Sequence, residues 1–216
     1  MIPKIIHQIW IGDKPQPTRL TETWRMFGYE YVLWDEKKID NLKMVNEDKY
    51  NRFYKEKKFY GAADIARVEI LYQYGGIYVD ADFERLQDFP KKWHNYDFLC
   101  YSPKNKNDFN FRVGNSLFGA KKESEIILEY RNRISLTKKI NPAWIQIGGS
   151  LLTKVLLDFI NNDSFNILLL PPETFYTLNI KGKIHGLDKI DNFKVDDAYA
   201  RHYMASKNSK IYKNKS

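Results

Sequence analysis

An α/β fold built on a mixed sheet is what the sequence predicts, from three observations. Strand-like and helix-like runs alternate along the chain. A 43% hydrophobic content over 216 residues is enough for one sizeable core. No internal repeat or low-complexity linker divides the chain, so it reads as one domain.

The elements follow in order. "KIIHQIWI" at 4–11 and "EYVLW" at 30–34 are strand-like, with helical patterns at "RLTETWRMF" (19–27) and over 36–58, which makes a β-α-β opening. From 61 to 74 the apolar Ala63, Ala66, Ile70, Leu71 and Tyr74 recur at helical spacing, and Gly75 suits the left-handed position that ends a helix. "IYVDADF" then reads as a strand running unbroken to Phe83. Further strands are expected at "YDFLCY", "NSLFGA", "FNILLL" and "AYARHYM", with helices near 122–135 and 149–161.

Composition excludes some functions. The single cysteine, Cys100, rules out an internal disulfide framework and a multi-cysteine zinc site, and its apolar neighbours make it a buried strand thiol. The opening "MIPKIIHQIWIG" is too polar for a signal peptide, and no run of about 18 apolar residues exists to span a bilayer. A cytoplasmic protein is expected. Of the formal charge of +8, five positive charges (Arg201, Lys207, Lys210, Lys213 and Lys215) fall in the basic segment 201–216, which contains no acid. Such a tail is usually a solvated end, but it could also meet an anionic lipid face, which would make the protein peripheral to the inner side of a membrane. A nucleic-acid-binding module is the non-enzyme alternative, suggested by the charge and the 15% aromatic content. It lacks a recognisable motif or a basic stripe outside the tail, so no nucleic-acid partner is expected.

The chemistry concentrates in "AADIARVEILYQYGGIYVDADFE" (62–84). On a continuous strand Asp80 and Asp82 would point to one side, where two carboxylates repel each other unless a cation sits between them. Mg²⁺ and Mn²⁺ take such oxygen ligands together with substrate phosphates, and open α/β sheets bind ligands beyond the carboxyl ends of their strands. A bare Asp-x-Asp is more often a polar strand end. Asp64 and Arg67, one helical step apart, shift that balance. A surface pair would be worth about 0.5 kcal/mol or less, but the flanking alanines indicate a closely packed helix start in which the pair faces a cleft. A glycosidase would need its carboxylates about 5–10 Å apart across a bond, not adjacent on one strand.

"IPKIIHQIWIG" (2–12) and the central block, followed in order by "GNSLFGA", "IGGSLLT" and "RHYMAS", resemble the DXD-containing glycosyltransferases of family 32. These include bacterial capsule and lipopolysaccharide enzymes and yeast Golgi mannosyltransferases, and the central block is also similar to the glucosylating domain of large bacterial toxins. The resemblance implies a GT-A-like, Rossmann-type mixed sheet flanked by helices, forming a single glycosyltransferase domain over 1–200. It implies a nucleotide-sugar donor, UDP-sugar above others, Mn²⁺ or Mg²⁺, and retention of configuration. The acceptor would be a saccharide or a lipid-linked glycan in bacterial surface polysaccharide synthesis, or alternatively a host protein.

Carried over by position, Trp10 stacks on the nucleobase. Asp64 and Arg67 contact ribose, sugar hydroxyls and phosphate. Asp80 touches ribose or sugar, and Asp82, with Asp80 beside it, holds the metal. Asn115 contacts the sugar, and His202 and Ser206 approach the metal or diphosphate. Gly148-Gly149 would open a helix near the acceptor pocket. Lys207 stands where relatives carry Trp, which departs from the family's donor lid. His7 reads as structural.

Overall fold

The computed structural model describes residues 1–102, 112–171, 174–178, 184–185 and 198–203. Its six-stranded sheet contains β1 (Ile5–Ile9), β2 (Glu30–Trp34), β3 (Gly76–Val79), β5 (Phe98–Tyr101), β6 (Leu117–Ala120) and β7 (Ile167–Leu170), in the order β2-β1-β3-β6-β5-β7. Pairs β1·β2, β1·β3 and β5·β7 are parallel, and β6 runs antiparallel to both β3 and β5, so the sheet is mixed as expected. A second sheet has the order β4-β10-β8-β9, from β4 (Phe83–Arg85), β10 (Ala200–His202), β8 (Phe175–Leu178) and β9 (Ile184–His185).

The helices are α1 (Thr18–Thr21), α2 (Glu36–Asp40), α3 (Glu47–Lys55), α4 (Phe59–Tyr74), α5 (Glu125–Leu136), α6 (Ala143–Gln146) and α7 (Gly149–Phe159). Two expected helices are shorter than the sequence pattern. The run over 36–58 divides into α2 and α3, because buried Glu69 takes the backbone N–H groups of Val45 and Asn46 and so starts α3 afresh. The "RLTETWRMF" run stops at Thr21 and continues as a 3₁₀ turn over Glu22–Trp24, where the buried Trp24 indole donates to Phe83 O at 2.9 Å.

Strand alternation divides the core. From β3, Tyr78 packs on the face shared with α4, α5 and α7, while Ile77 and Val79 pack on the other face with Trp24, Phe83, Trp93 and Phe175. That second face joins the two sheets. Each large apolar side chain fully buried there stabilises by about 1.5–3 kcal/mol.

Helix α4 is enclosed on nearly every side from Gly61 to Leu71. At Gly61 an added Cβ would lie 2.5 Å from the Phe53 ring, so α3 can approach only because the position is glycine. Gly75 and Gly76 both adopt positive φ, 66° and 95°, which turns the chain from α4 straight into β3. Cys100 is fully buried on β5, and burial pushes its thiol up.

Candidate active site

The expected strand through "IYVDADF" is broken. β3 ends at Val79, and Asp80 to Phe83 form a tight turn closed by Phe83 N–H donating to Asp80 O at 3.1 Å, after which β4 enters the second sheet. The break arises because Phe83 is claimed by the Trp24 pocket and by β10. Asp80 and Asp82 therefore do not share a strand face. The turn still brings them together, and His202 joins them: one ligating atom from each of the three lies within 4.8 Å of the others.

His202 arrives through the antiparallel register of β4 and β10, which sets it opposite Phe83 with the rings stacked 4.2 Å apart at 9°. Tyr203 N–H donates to Asp82 O at 3.1 Å, and His202 Nε2 stands 3.3 Å from Asp82 Oδ1. The side chains of Asp82 and His202 are 14% and 15% exposed, and that of Asp80 is 27% exposed, so the cluster is reachable from solvent on one side. Burial and the neighbouring Asp82 charge, against Arg67, push the Asp80 carboxyl up to about 6. Burial opposes charge on His202, but the Asp82 and Asp80 carboxylates outweigh it and raise the imidazole pKa.

Asp64 and Arg67 form a buried pair, not a surface one. Arg67 Nη2 lies 3.2 Å from Oδ1 of both Asp64 and Asp80, Nε donates to Ala63 O at 3.1 Å, and Nη1 donates to Asn115 O at 2.5 Å. Burial works against the guanidinium charge, yet Asp80, Tyr78 and Asp64 together hold its pKa above the usual value. Burial raises the Asp64 carboxyl, against the pull of Arg67 and of Asn115 Nδ2, which donates to Asp64 Oδ1 at 2.8 Å. The fork of Arg67 is thus turned to protein groups. Its task within this structure is to fix four acceptors around one cation.

The segment that leads to Asn115 is in turn held by α7 at Val113. An added Cβ at Gly149 would meet Val113 O at 3.0 Å, and Thr153 Oγ1 accepts from Val113 N at 3.0 Å. Gly148 is the N-cap of α7, as the sequence indicated. Trp10 leaves the sheet at the same edge: β1 and β3 are parallel, and Trp10 follows β1 at the end where β3 gives way to the Asp80 turn. Its indole donates to Lys14 O at 2.9 Å. Ser206 and Lys207 lie outside the described residues. His7 is structural: Nε2 donates to Gly75 O at 2.9 Å and Nδ1 accepts from Trp34 Nε1 at 3.1 Å.

Sequence reasoning missed Tyr78, whose hydroxyl donates to Asp80 Oδ1 and whose ring lies 4.5 Å beneath the Arg67 guanidinium. Its spacing of two from Asp80 on a strand was the available signal. It also missed Tyr130, whose hydroxyl donates to Ile147 O and Gly148 O at the entry to α7.

Residues 16–99, which contain Asp64, Arg67, Asp80 and Asp82, match the family described as glycosyltransferase sugar-binding region containing DXD motif. The uncharacterized glycosyltransferase L373 of Acanthamoeba polyphaga mimivirus is 40% identical over 100 residues, covering 41% of this chain and 40% of that protein. Inositol phosphoceramide mannosyltransferase 1 of Schizosaccharomyces pombe is 35% identical over 97 residues, covering 38% of this chain and 28% of that protein. The chain thus matches well under half the length of these relatives.

Among solved structures, the PaToxG glycosyltransferase aligns over 76% of this chain and 72% of its own, with a TM-score of 0.55 and 19% identity. A glycosyltransferase involved in the glycosylation of the major capsid of PBCV-1 aligns over 98% and 100%, with a TM-score of 0.50 and 11% identity. These two likenesses concern the fold. Residues 16–99 are thus similar to the DXD-containing sugar-binding region, and the mixed, helix-flanked sheet has the fold of these two solved glycosyltransferases.

Proposed function

We propose that this protein is a metal-dependent, retaining glycosyltransferase that moves a sugar from a nucleotide-sugar donor, a UDP-sugar first among candidates, to a saccharide or lipid-linked acceptor in surface polysaccharide synthesis. The observation that carries the reading is the convergence of Asp80, Asp82 and His202 within 4.8 Å at the carboxyl edge of the sheet, beside the buried Asp64–Arg67 pair.

The donor set fits a divalent ion. Two carboxylates and an imidazole on a partly open cluster suit Mn²⁺, and the nitrogen makes Mg²⁺, which prefers oxygen alone, the weaker choice. Burial first, and the neighbouring Asp82 charge second, raise the Asp80 carboxyl to about 6, and a cation between the two carboxylates would relieve both. When bound, the ion supplies Lewis-acid stabilisation of the charge that develops on the departing diphosphate. Asp82 and His202 would hold it, with Asp80 kept in place by Arg67 and Tyr78.

The protein groups divide the remaining work. Arg67 sets a fixed positive charge behind the diphosphate without having to reorganise. Asp64 and the Asn115 amide, hydrogen-bonded to each other beside Arg67, would take sugar hydroxyls. Trp10, at the same sheet edge, offers an indole face for the base. For retention, a departing phosphate oxygen takes the proton of the acceptor hydroxyl as that hydroxyl attacks the anomeric carbon on the same face. Asp64, Asp80 and Asp82 are each already engaged by Arg67 or His202, which supports a route needing no protein base.

A thermal-shift screen of UDP-, GDP- and CMP-sugars, each with and without Mn²⁺, tests this. The expected result is stabilisation by a UDP-sugar with Mn²⁺ that EDTA cancels, followed by proton NMR of a product with the donor's anomeric configuration. No shift with any donor would overturn the reading, and an inverted product would overturn the mechanism.

A further inference from the structure

We propose that Gln8 is a positioning residue for the metal-binding turn, acting through the main-chain carbonyl of Asp80. The proposal rests on the reading of Asp80 and Asp82 as metal ligands.

Gln8 is a fully buried polar side chain on the interior strand β1, at a position where an apolar residue would be the ordinary occupant. Its amide is committed at both ends. Oε1 accepts from the Tyr31 hydroxyl at 2.9 Å, and Nε2 donates to Asp80 O at 3.3 Å. The reason for an amide lies in the break of β3. The paired register of β1 with β3 gives His7 opposite Tyr78, and no strand partner is paired with Asp80 from that side. On the other side Asp80 N–H still donates to Ser116 O of the 113–116 segment at 2.8 Å. The carbonyl of Asp80 is therefore where the sheet hands over to the turn, and it also accepts Phe83 N–H, the bond that closes the turn.

A turn held at one point can pivot; a turn whose first carbonyl is held by two donors cannot. The Gln8 amide thus fixes the direction in which Ala81 and Asp82 leave the sheet, and with it the gap between the Asp80 and Asp82 carboxylates. Tyr31 fixes the amide in turn. Outer residues that orient metal ligands in this way change metal affinity about 10–100-fold when removed.

The test uses Gln8→Met, close in shape but without the amide, and Tyr31→Phe. Mn²⁺ binding is measured by electron paramagnetic resonance well below the melting temperature, with amide hydrogen exchange at Phe83 as a second readout that needs no metal. Gln8→Met should weaken Mn²⁺ about tenfold and speed Phe83 exchange, Tyr31→Phe should do the same to a smaller extent, and the double variant should match Gln8→Met alone. Unchanged Mn²⁺ affinity and unchanged Phe83 exchange in Gln8→Met, whatever its melting temperature, would overturn the proposal. If Gln8→Met does not fold, Tyr31→Phe decides by the same two readouts. Asp82→Ala is the control for the underlying reading: Mn²⁺ binding that survives it removes the metal assignment, and Phe83 exchange then judges Gln8 alone.

Discussion

The Tyr78 hydroxyl donates to Asp80 Oδ1 over 2.7 Å from two residues earlier on the chain, while its ring supports Arg67 from below. One side chain thereby orients both the acid and the base of a buried pair.

Tyr78→Phe keeps the ring beneath Arg67 and deletes only the donor. A hydrogen bond to a charged group contributes about 1.5–3 kcal/mol, and loss of a ligand-orienting partner costs about 10–100-fold in metal affinity. The expected outcome is a folded protein, with Mn²⁺ affinity reduced about tenfold in a titration. Wild-type affinity in the variant would mean that Asp80 needs no such support.

Arg67→Lys tests the fork. Lysine keeps the charge but cannot reach Asp64, Asp80, Asn115 O and Ala63 O at once, since its ammonium is a compact point charge. Transfer activity should fall at least tenfold, with a stability loss of about 3 kcal/mol or more from a broken buried network. Near-normal turnover would show that charge alone suffices.

Asp82→Ala tests ligand linkage. Something that binds only the folded state stabilises it by about 2.7 kcal/mol at a hundred times its dissociation constant. Mn²⁺ with UDP should therefore raise the melting temperature of the wild type and leave that of Asp82→Ala unmoved. Equal shifts in the two proteins would remove Asp82 from the metal site.

His7 predicts a pH dependence unconnected with catalysis. Burial, only partly offset by its bond to Gly75 O, lowers its pKa to about 4 from an ordinary value of 6.5. The unfolded chain therefore takes up the proton first as pH falls. The stability linked to His7 is complete above about 6.5, declines toward about 4, and amounts to about 3 kcal/mol over that interval. His7→Gln can still donate to Gly75 O and accept from Trp34. Urea unfolding at pH about 7 and about 4.5 should show a smaller difference for this variant than for the wild type, and equal differences would refute the assignment.

Much of the fold was legible where residues report on their own neighbours. The helical spacing over 61–74, the glycine pair after it and the strand-like runs of β3 and β6 are local signals, and they match α4, the Gly75-Gly76 turn and the mixed sheet. Asp64 and Arg67 were legible for the same reason, being one helical step apart. The break after Val79 was not, because it is decided by Trp24 and β10 from outside the segment. Arg67's commitment to Asn115 O was equally hidden, since a backbone carbonyl leaves no trace in residue identity. The split of the 36–58 run depends on Glu69, a charged residue of α4 that is fully buried.

The pairing of β4 with β10 has a further consequence, in the order of folding. Asp82 lies next to the end of the six-stranded sheet, whereas His202 comes from the far end of the described chain and reaches it only when β10 closes on β4. Closing so long a loop must be met by contacts already formed elsewhere, since its entropic cost precedes any reward from the pairing itself. The larger sheet and α4 can gather from nearer neighbours, so we expect the carboxylates to be in place early and the imidazole to arrive last. The site would then mature at the final stage of folding, and a partly folded chain would hold two acids without the nitrogen that completes them.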